Sequence, residues 1–164
     1  MRNTSDTYDK NEPPHLTIAS GNVKIQAMRG SYSWQRIAEN GLAEYVIVDA
    51  LLPLEAKEFM PCLHLSPGGQ ENDTISVHLV FEESPTKITA ECYPVEAFND
   101  VNARPQDVTI DSMIDCIEID YADGRNSCEY YLNLKNSDSI YVLHAEWQNK
   151  GTAEYAFYTN FSCQ

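Results

Sequence analysis

The sequence predicts an all-β fold: a single antiparallel β-sandwich of immunoglobulin-like outline with at most one or two short helices. Apolar and polar residues alternate in about ten short segments, which is the period of a strand with one buried face. Turn-forming residues separate the segments at spacings of about 8–15 residues, as in sandwiches and barrels. Helix-like periodicity is nearly absent.

The strands can be placed in order along the chain from this alternation. Expected strand cores are residues 16–18, 23–27, 32–34, 45–48, 75–81, 88–92, 108–110, 117–121, 130–134, 141–147 and 153–161. Helix formers behind Pro53 predict one short helix over residues 53–60. Residues 94–101 and 112–116 are expected to hold single turns.

Aromatic residues, ten of them Tyr, occupy many strand positions. Trp34 and Trp147 fall on alternating positions and are predicted to lie in the core, where sandwiches often place a Trp. Four tyrosines put aromatic rings on both faces of their strands: Tyr130, Tyr131, Tyr155 and Tyr158. An exposed Tyr row would stack on sugars or anchor a partner. The alternative is that Tyr simply favours strands.

The length of 164 residues suits one domain. Residues 1–14 are polar and end in Pro13-Pro14, which predicts a disordered leader or linker before a β-sandwich domain over residues 15–164. The leader has no apolar stretch and is not a secretory signal. It is typical of a linker behind a cleaved signal, a lipid anchor or a membrane helix. A cytosolic start with a frayed tail stays open, as does any anchor before Met1.

The charge balance excludes two classes of partner. The chain has 25 acidic and 11 basic residues, for a formal charge of −14. Nucleic acids and anionic membranes need clustered Lys and Arg, so neither is expected as a partner. No apolar run is long enough to insert into a membrane. The acidity favours a cationic partner, or serves solubility alone.

The cysteines predict neither a zinc site nor a redox pair, because none forms a CxxC motif. The five are Cys62, Cys92, Cys116, Cys128 and Cys163. Cys92 sits at a core position and is predicted to be a buried small hydrophobe. Cys116 and Cys128 flank a turn at residues 120–124 and are candidates for a disulfide, although the pairing stays open. No thiol nucleophile is expected.

Histidines and acids give no predicted metal or cofactor site. The histidines are His15, His64, His78 and His144, and each is expected at the surface or a strand edge. His64 and His78 are candidates for neighbouring strands, and His144 for the face opposite Trp147. Residues 120–126 are faintly similar to a calcium loop, with Asp120 and Asp123 as ligand candidates. The loop lacks the Asp-x-Asp-x-Asp order, and an Asp-Gly hairpin turn explains it more simply.

Catalytic motifs are absent from the sequence. There is no GxSxG elbow, no SxxK and no phosphate loop. We therefore predict no catalytic residues and a non-enzymatic role. Two alternatives stay open: a carboxylate-based hydrolase on a jelly-roll-like sandwich, which needs two acids converging in a cleft, and a structural spacer.

Three stretches together resemble a known type of domain: GNVKIQAMRGSYSW at 21–34, TISVHLVFEESPTKITAECY at 74–93 and YLNLKNSDSIYVLHAEWQNKGTAEYAFYTNF at 131–161. In that order they are similar to an uncharacterised β-sandwich domain of Gram-positive, mainly clostridial, bacteria. It occurs in extracytoplasmic regions of antirepressor-type membrane sensor metallopeptidases and in small surface lipoproteins. This chain lacks the HExxH zinc motif, so it does not correspond to the peptidase part.

The resemblance implies a location outside the cytoplasm and no known catalytic residues. With the charge and the aromatic strands, it leads us to expect a non-enzymatic extracytoplasmic binding or sensory module. Its ligand would be a protein, an envelope glycan or a cationic ligand, and the residues that bind it are not predicted.

Overall fold

Two β-sheets pack face to face, which confirms the predicted all-β sandwich. The computed structural model describes residues 11–66, 75–112 and 130–161. The predicted strand at 117–121, the Cys116–Cys128 bridge and the Asp120 and Asp123 turn lie outside these ranges. So does Cys163.

The smaller sheet has five strands in the order β2-β1-β6-β10-β9, and all its pairs are antiparallel. Its strands are β1 (Leu16–Ser20), β2 (Val23–Gln26), β6 (Ile75–Phe81), β9 (Ile110–Ser112) and β10 (Tyr130–Leu134). Gly21 forms the β1–β2 turn with a φ of +56°, a left-handed conformation that glycine adopts without steric cost.

The larger sheet has seven strands, six of them in the order β4-β3-β12-β11-β7-β8. Its strands are β3 (Met28–Ile37), β4 (Ala43–Val48), β5 (Cys62–His64), β7 (Lys87–Pro94), β8 (Gln106–Val108), β11 (Ser139–Trp147) and β12 (Gly151–Asn160). The short β5, which the alternation did not predict, pairs in parallel with the end of β12. The expectation that His64 and His78 share neighbouring strands is wrong, because β5 and β6 belong to different sheets.

The main core fills the space between the sheets with the inward residues of the alternation. Trp34 and Trp147 are both buried, as predicted, and meet edge to face with ring centroids 5.3 Å apart. Phe81 packs on Trp147 in the same way, at 5.8 Å. Each such pair adds about 0.5–1.5 kcal/mol to the free energy of unfolding beyond the area it buries. Cys92 is buried in this core, which confirms its predicted role.

A second, smaller hydrophobic cluster lies on the outer face of the larger sheet. Ile140 and Val142 of β11 and Ala156 of β12 are buried there, although their neighbours in sequence face the main core. Three 3₁₀ helices and their loops cover them: Pro53–Glu55, Lys57–Phe59 and Val95–Ala97.

The short helix predicted over residues 53–60 is thus two separate turns. Ala56, with φ −110° and ψ 26°, separates them. Pro61 follows Met60 and disfavours helical backbone at that residue. The turn predicted within residues 94–101 is confirmed as the third 3₁₀ helix.

Residues next to the predicted leader pack on the sandwich. Pro13 and Pro14 are buried. Arg29 donates a hydrogen bond to the Pro13 carbonyl at 2.8 Å, and the Tyr155 hydroxyl donates to the Pro14 carbonyl at 2.5 Å. The sandwich therefore makes contacts before residue 15, while the leader over residues 1–10 lies outside the described ranges. No helix in the described part has the length and hydropathy needed to cross a membrane.

Candidate functional site

The candidate site is a groove of about 360 Å³ on the outer face of the larger sheet. Its floor is formed by β7, β11 and β12, and its walls by the first 3₁₀ helix with the preceding Leu52 and by the loop after the third 3₁₀ helix. The backbone N–H of Asn99 donates to the Leu54 carbonyl at 2.8 Å, which ties the two walls together. The second hydrophobic cluster holds both loops against the sheet. The groove is thus built on a rigid scaffold.

One side of the groove is apolar. Leu54 and Ala103 pack against the second hydrophobic cluster, which includes Val142 of the floor. At the rim, Leu52 and Val101 are 65% and 88% exposed. Large apolar side chains exposed beside a groove mark surfaces that bind ligands or partners.

The other side carries three charged or polar side chains that meet across three strands. His144 lies directly opposite Glu154 on β12, and Glu91 on β7 lies one diagonal step away. The Nδ1 atom of His144 is 3.7 Å from a Glu154 carboxylate oxygen, and its Nε2 atom is 4.0 Å from one of Glu91. The side chains are 46% exposed for His144, 33% for Glu91 and 23% for Glu154.

An irregularity in the sheet places Glu154. The pairing of β12 with β3 shifts register between Ala153 and Tyr155, whose partners are Tyr32 and Arg29, so Gly30 and Ser31 of β3 lie opposite the single residue Glu154. A Cβ atom on Gly30 would come within 2.9 Å of the Glu154 Oε1 atom. Gly30 therefore leaves room for this carboxylate to lie against the backbone of β3. Bulges of this kind often direct a side chain into a functional site.

The electrostatics of the groove follow from burial and neighbouring acids. Burial raises the pKa of Glu154, His144 opposes this rise, and Glu91 adds to it. The pKa of Tyr93 on the same face is raised by burial, then by Glu91 and Glu154. A negative potential therefore extends across the sheet surface at this end of the groove.

The imidazole sits between the two carboxylates, with one nitrogen facing each. A neutral imidazole donates from one nitrogen only, whereas the protonated ring donates from both. Both distances are those of an ion pair and longer than a hydrogen bond. In the described ranges, no three His, Cys, Asp or Glu side chains are arranged to hold a metal ion.

Of the histidines and tyrosines named in the sequence analysis, only His144 lies in the groove among those that the structure describes. His144 does lie on the face opposite Trp147, as predicted. His78 stacks on Tyr131 of the smaller sheet at 4.8 Å. Tyr130 and Tyr155 are buried, and Tyr158 is half-buried against Phe98. These tyrosines thus form no exposed row.

Sequence reasoning missed Glu91 and Glu154, the two acids beside His144. Their outward positions are typical of solvated strand residues, and the contact depends on the register of three strands. One signal was present: Gly30 precedes the predicted strand at 32–34, and the structure places it inside β3, where a glycine often marks a bulge or a close backbone approach.

Comparisons with known proteins leave the site to be interpreted from its geometry. No protein-family model matches the chain, and neither the curated proteins nor the solved structures contain a match.

Proposed function

We propose that this chain is a non-enzymatic binding or sensory module that holds its ligand in the outer groove of the larger sheet. The proposal is supported by one observation: an apolar rim and a charged cluster lie in the same groove on the larger sheet. Such a combination, apolar walls with a few placed polar groups, is typical of ligand sites. A location outside the cytoplasm is part of the proposal and rests on the family resemblance alone.

The chemistry of the lining supports binding over catalysis. The described residues that line the groove include no Ser, Thr or Cys, the side chains that supply the aliphatic hydroxyl or thiol nucleophile of many enzymes. A spacer domain would need neither the groove nor its exposed apolar rim.

Ligand mapping by NMR tests the proposal. We would titrate ¹⁵N-labelled protein with N-acetylglucosamine oligomers, oligolysine and small alkylamines. At least one compound should give saturable shift changes centred on the amides of Val142 and His144. Saturable changes confined to another surface, or none with any compound, would overturn the proposal.

Two variants test where the ligand sits. Ala103→Trp places an indole in the groove and should abolish those shift changes. Ala43→Trp adds the same side chain at an exposed position on β4, outside the groove, and should leave them intact. If Ala103→Trp fails to fold, Leu52→Arg at the exposed rim serves as the blocking variant.

A hydrolase is the second candidate function, favoured by the raised pKa of Glu154 beside Glu91 in a groove. However, the His144 ring lies between the two carboxylates, where a glycosidase pair leaves room for the scissile bond. We therefore expect no turnover of chromogenic aryl glycosides. Turnover that Glu154→Gln abolishes would establish the hydrolase instead.

A further inference from the structure

We propose that the outer groove selects a small organic cation, an ammonium group carried on an apolar body. This inference rests on the proposed binding function and names the ligand class for the same site. It follows from the charge, the shape and the volume of the groove.

The charge of the lining is one-sided. Four carboxylates line the groove: Glu55, Glu91, Asp100 and Glu154. No Lys or Arg is among the described residues that line it. Two lysines have other positions: Lys57 sits over the Phe98 ring at 5.4 Å, and Lys87 lines an adjoining depression. An anionic ligand would be repelled by this lining, and a cationic one attracted.

The pair of acids around His144 gives the cation a defined position. The His144 nitrogens lie 3.7 Å and 4.0 Å from the Glu154 and Glu91 carboxylates, too far for a hydrogen bond. An ammonium group has three N–H donors and can donate to these carboxylates. Both acids are only partly exposed, so the attraction is screened less than it would be between fully exposed charges.

The apolar side of the groove favours a ligand whose remaining part, beyond the ammonium group, is apolar. Leu52, Val101 and Val142 offer hydrocarbon surface within the same groove as the acids. A hydrated inorganic ion would leave that surface uncovered, whereas an alkyl or benzyl group would bury it. The volume of about 360 Å³ is near the lower end of the range for ligand sites, about 300–1,000 Å³, and suits a small molecule.

The test compares ligands of equal shape and different charge. Benzylamine and benzyl alcohol are titrated into the full chain by NMR, with hexylamine and hexanol as a second pair. Each amine should bind at least about tenfold more tightly than its alcohol, a difference of about 1.4 kcal/mol. Added salt should reduce this preference, because it screens the charge interaction.

Isosteric variants assign the preference to the two acids. Glu91→Gln and Glu154→Gln should each lower the amine-to-alcohol preference several-fold. Glu96→Gln, at an exposed position that does not line the groove, should leave it unchanged. Thermal unfolding of each variant checks that the fold is intact.

The possible outcomes distinguish the proposed cation preference from the proposed binding function. If an alcohol binds in the groove as tightly as its amine, the cation preference is wrong and the binding function stands. The same holds if only N-acetylglucosamine oligomers bind there. If the preference survives both Gln variants, the acids do not provide it. If no compound binds in the groove, both proposals fail.

Discussion

Two glycines on neighbouring strands should differ in how strongly the same substitution destabilises the protein. In Gly151→Ala, the new Cβ atom would lie 2.0 Å from the Ser33 carbonyl oxygen and 3.0 Å from the Trp34 Cα atom. Gly151 also has a φ of +153°. Because the obstacles are backbone atoms of the paired strand β3, the side chain cannot be accommodated without parting β3 from β12.

The cost of Gly151→Ala can be estimated from these contacts. Backbone strain of this kind costs about 1–3 kcal/mol, and each strand hydrogen bond lost adds about 1 kcal/mol. With one such bond lost, we expect the free energy of unfolding to fall by about 2–4 kcal/mol, which lowers Tm by about 4–16 °C at this chain length. Differential scanning calorimetry and urea unfolding measure both quantities.

Gly30→Ala is the matched control. Its Cβ atom would meet the Glu154 Oε1 atom at 2.9 Å, and a carboxylate at the end of a flexible side chain can move away. Alanine also reduces the entropy of the unfolded chain, which gains about 0.4–1 kcal/mol. We expect its stability to stay within about 1 kcal/mol of the parent. The reasoning would be refuted if the Tm of Gly151→Ala lay within about 2–4 °C of the Tm of Gly30→Ala, because that interval corresponds to about 1 kcal/mol at this chain length.

Three further predictions concern the core, alkaline pH and ligand binding. Leu143→Ala should lower the free energy of unfolding in urea by about 2–5 kcal/mol, because Leu143 is fully buried; Leu42→Ala, at 67% exposure, should change it by less than about 0.5 kcal/mol. Burial raises the pKa of Tyr141 to about 12, so the stability that its neutral form provides is complete below about pH 10 and lost as pH rises toward 12. Urea unfolding of Tyr141→Phe should show a smaller loss over that interval than the parent. Benzylamine should bind less tightly as the pH falls into the acid range, because burial raises the pKa of Glu154 and its protonation removes negative charge from the groove. Calorimetric titration of Glu154→Gln should show a weaker pH dependence, and an unchanged one would contradict this account.

Most of the strands could be predicted because one of their faces is buried by the other sheet, although β2 and β4 contain no buried residue. In β6, Val77 and Leu79 are buried while Ser76 and Val80 are exposed, so the period of two is visible in the residues. The three-residue β5 could not be predicted in this way, because it is too short to show an alternation and its parallel pairing with β12 depends on the path of the chain after the 3₁₀ helices. Likewise, the eight residues 53–60 are fewer than an isolated helix needs for stability, and packing on the sheet divides them into two turns.

The groove could not be predicted because it depends on burial of the second face of β11. The run Ile140-Tyr141-Val142-Leu143 contains no polar residue, which indicates a strand buried on both faces. This apolar run predicts that the outer face of β11 is covered, but it does not identify the segment that covers it. The loops that cover it leave His144 at the boundary of the cover, and the registers of β7 and β12 then bring Glu91 and Glu154 to it. The position of this site depends on how far the covering loops extend over the outer face of the sheet. The length and packing of those loops cannot be predicted from the strand sequences, so the site can be recognised only in the folded structure.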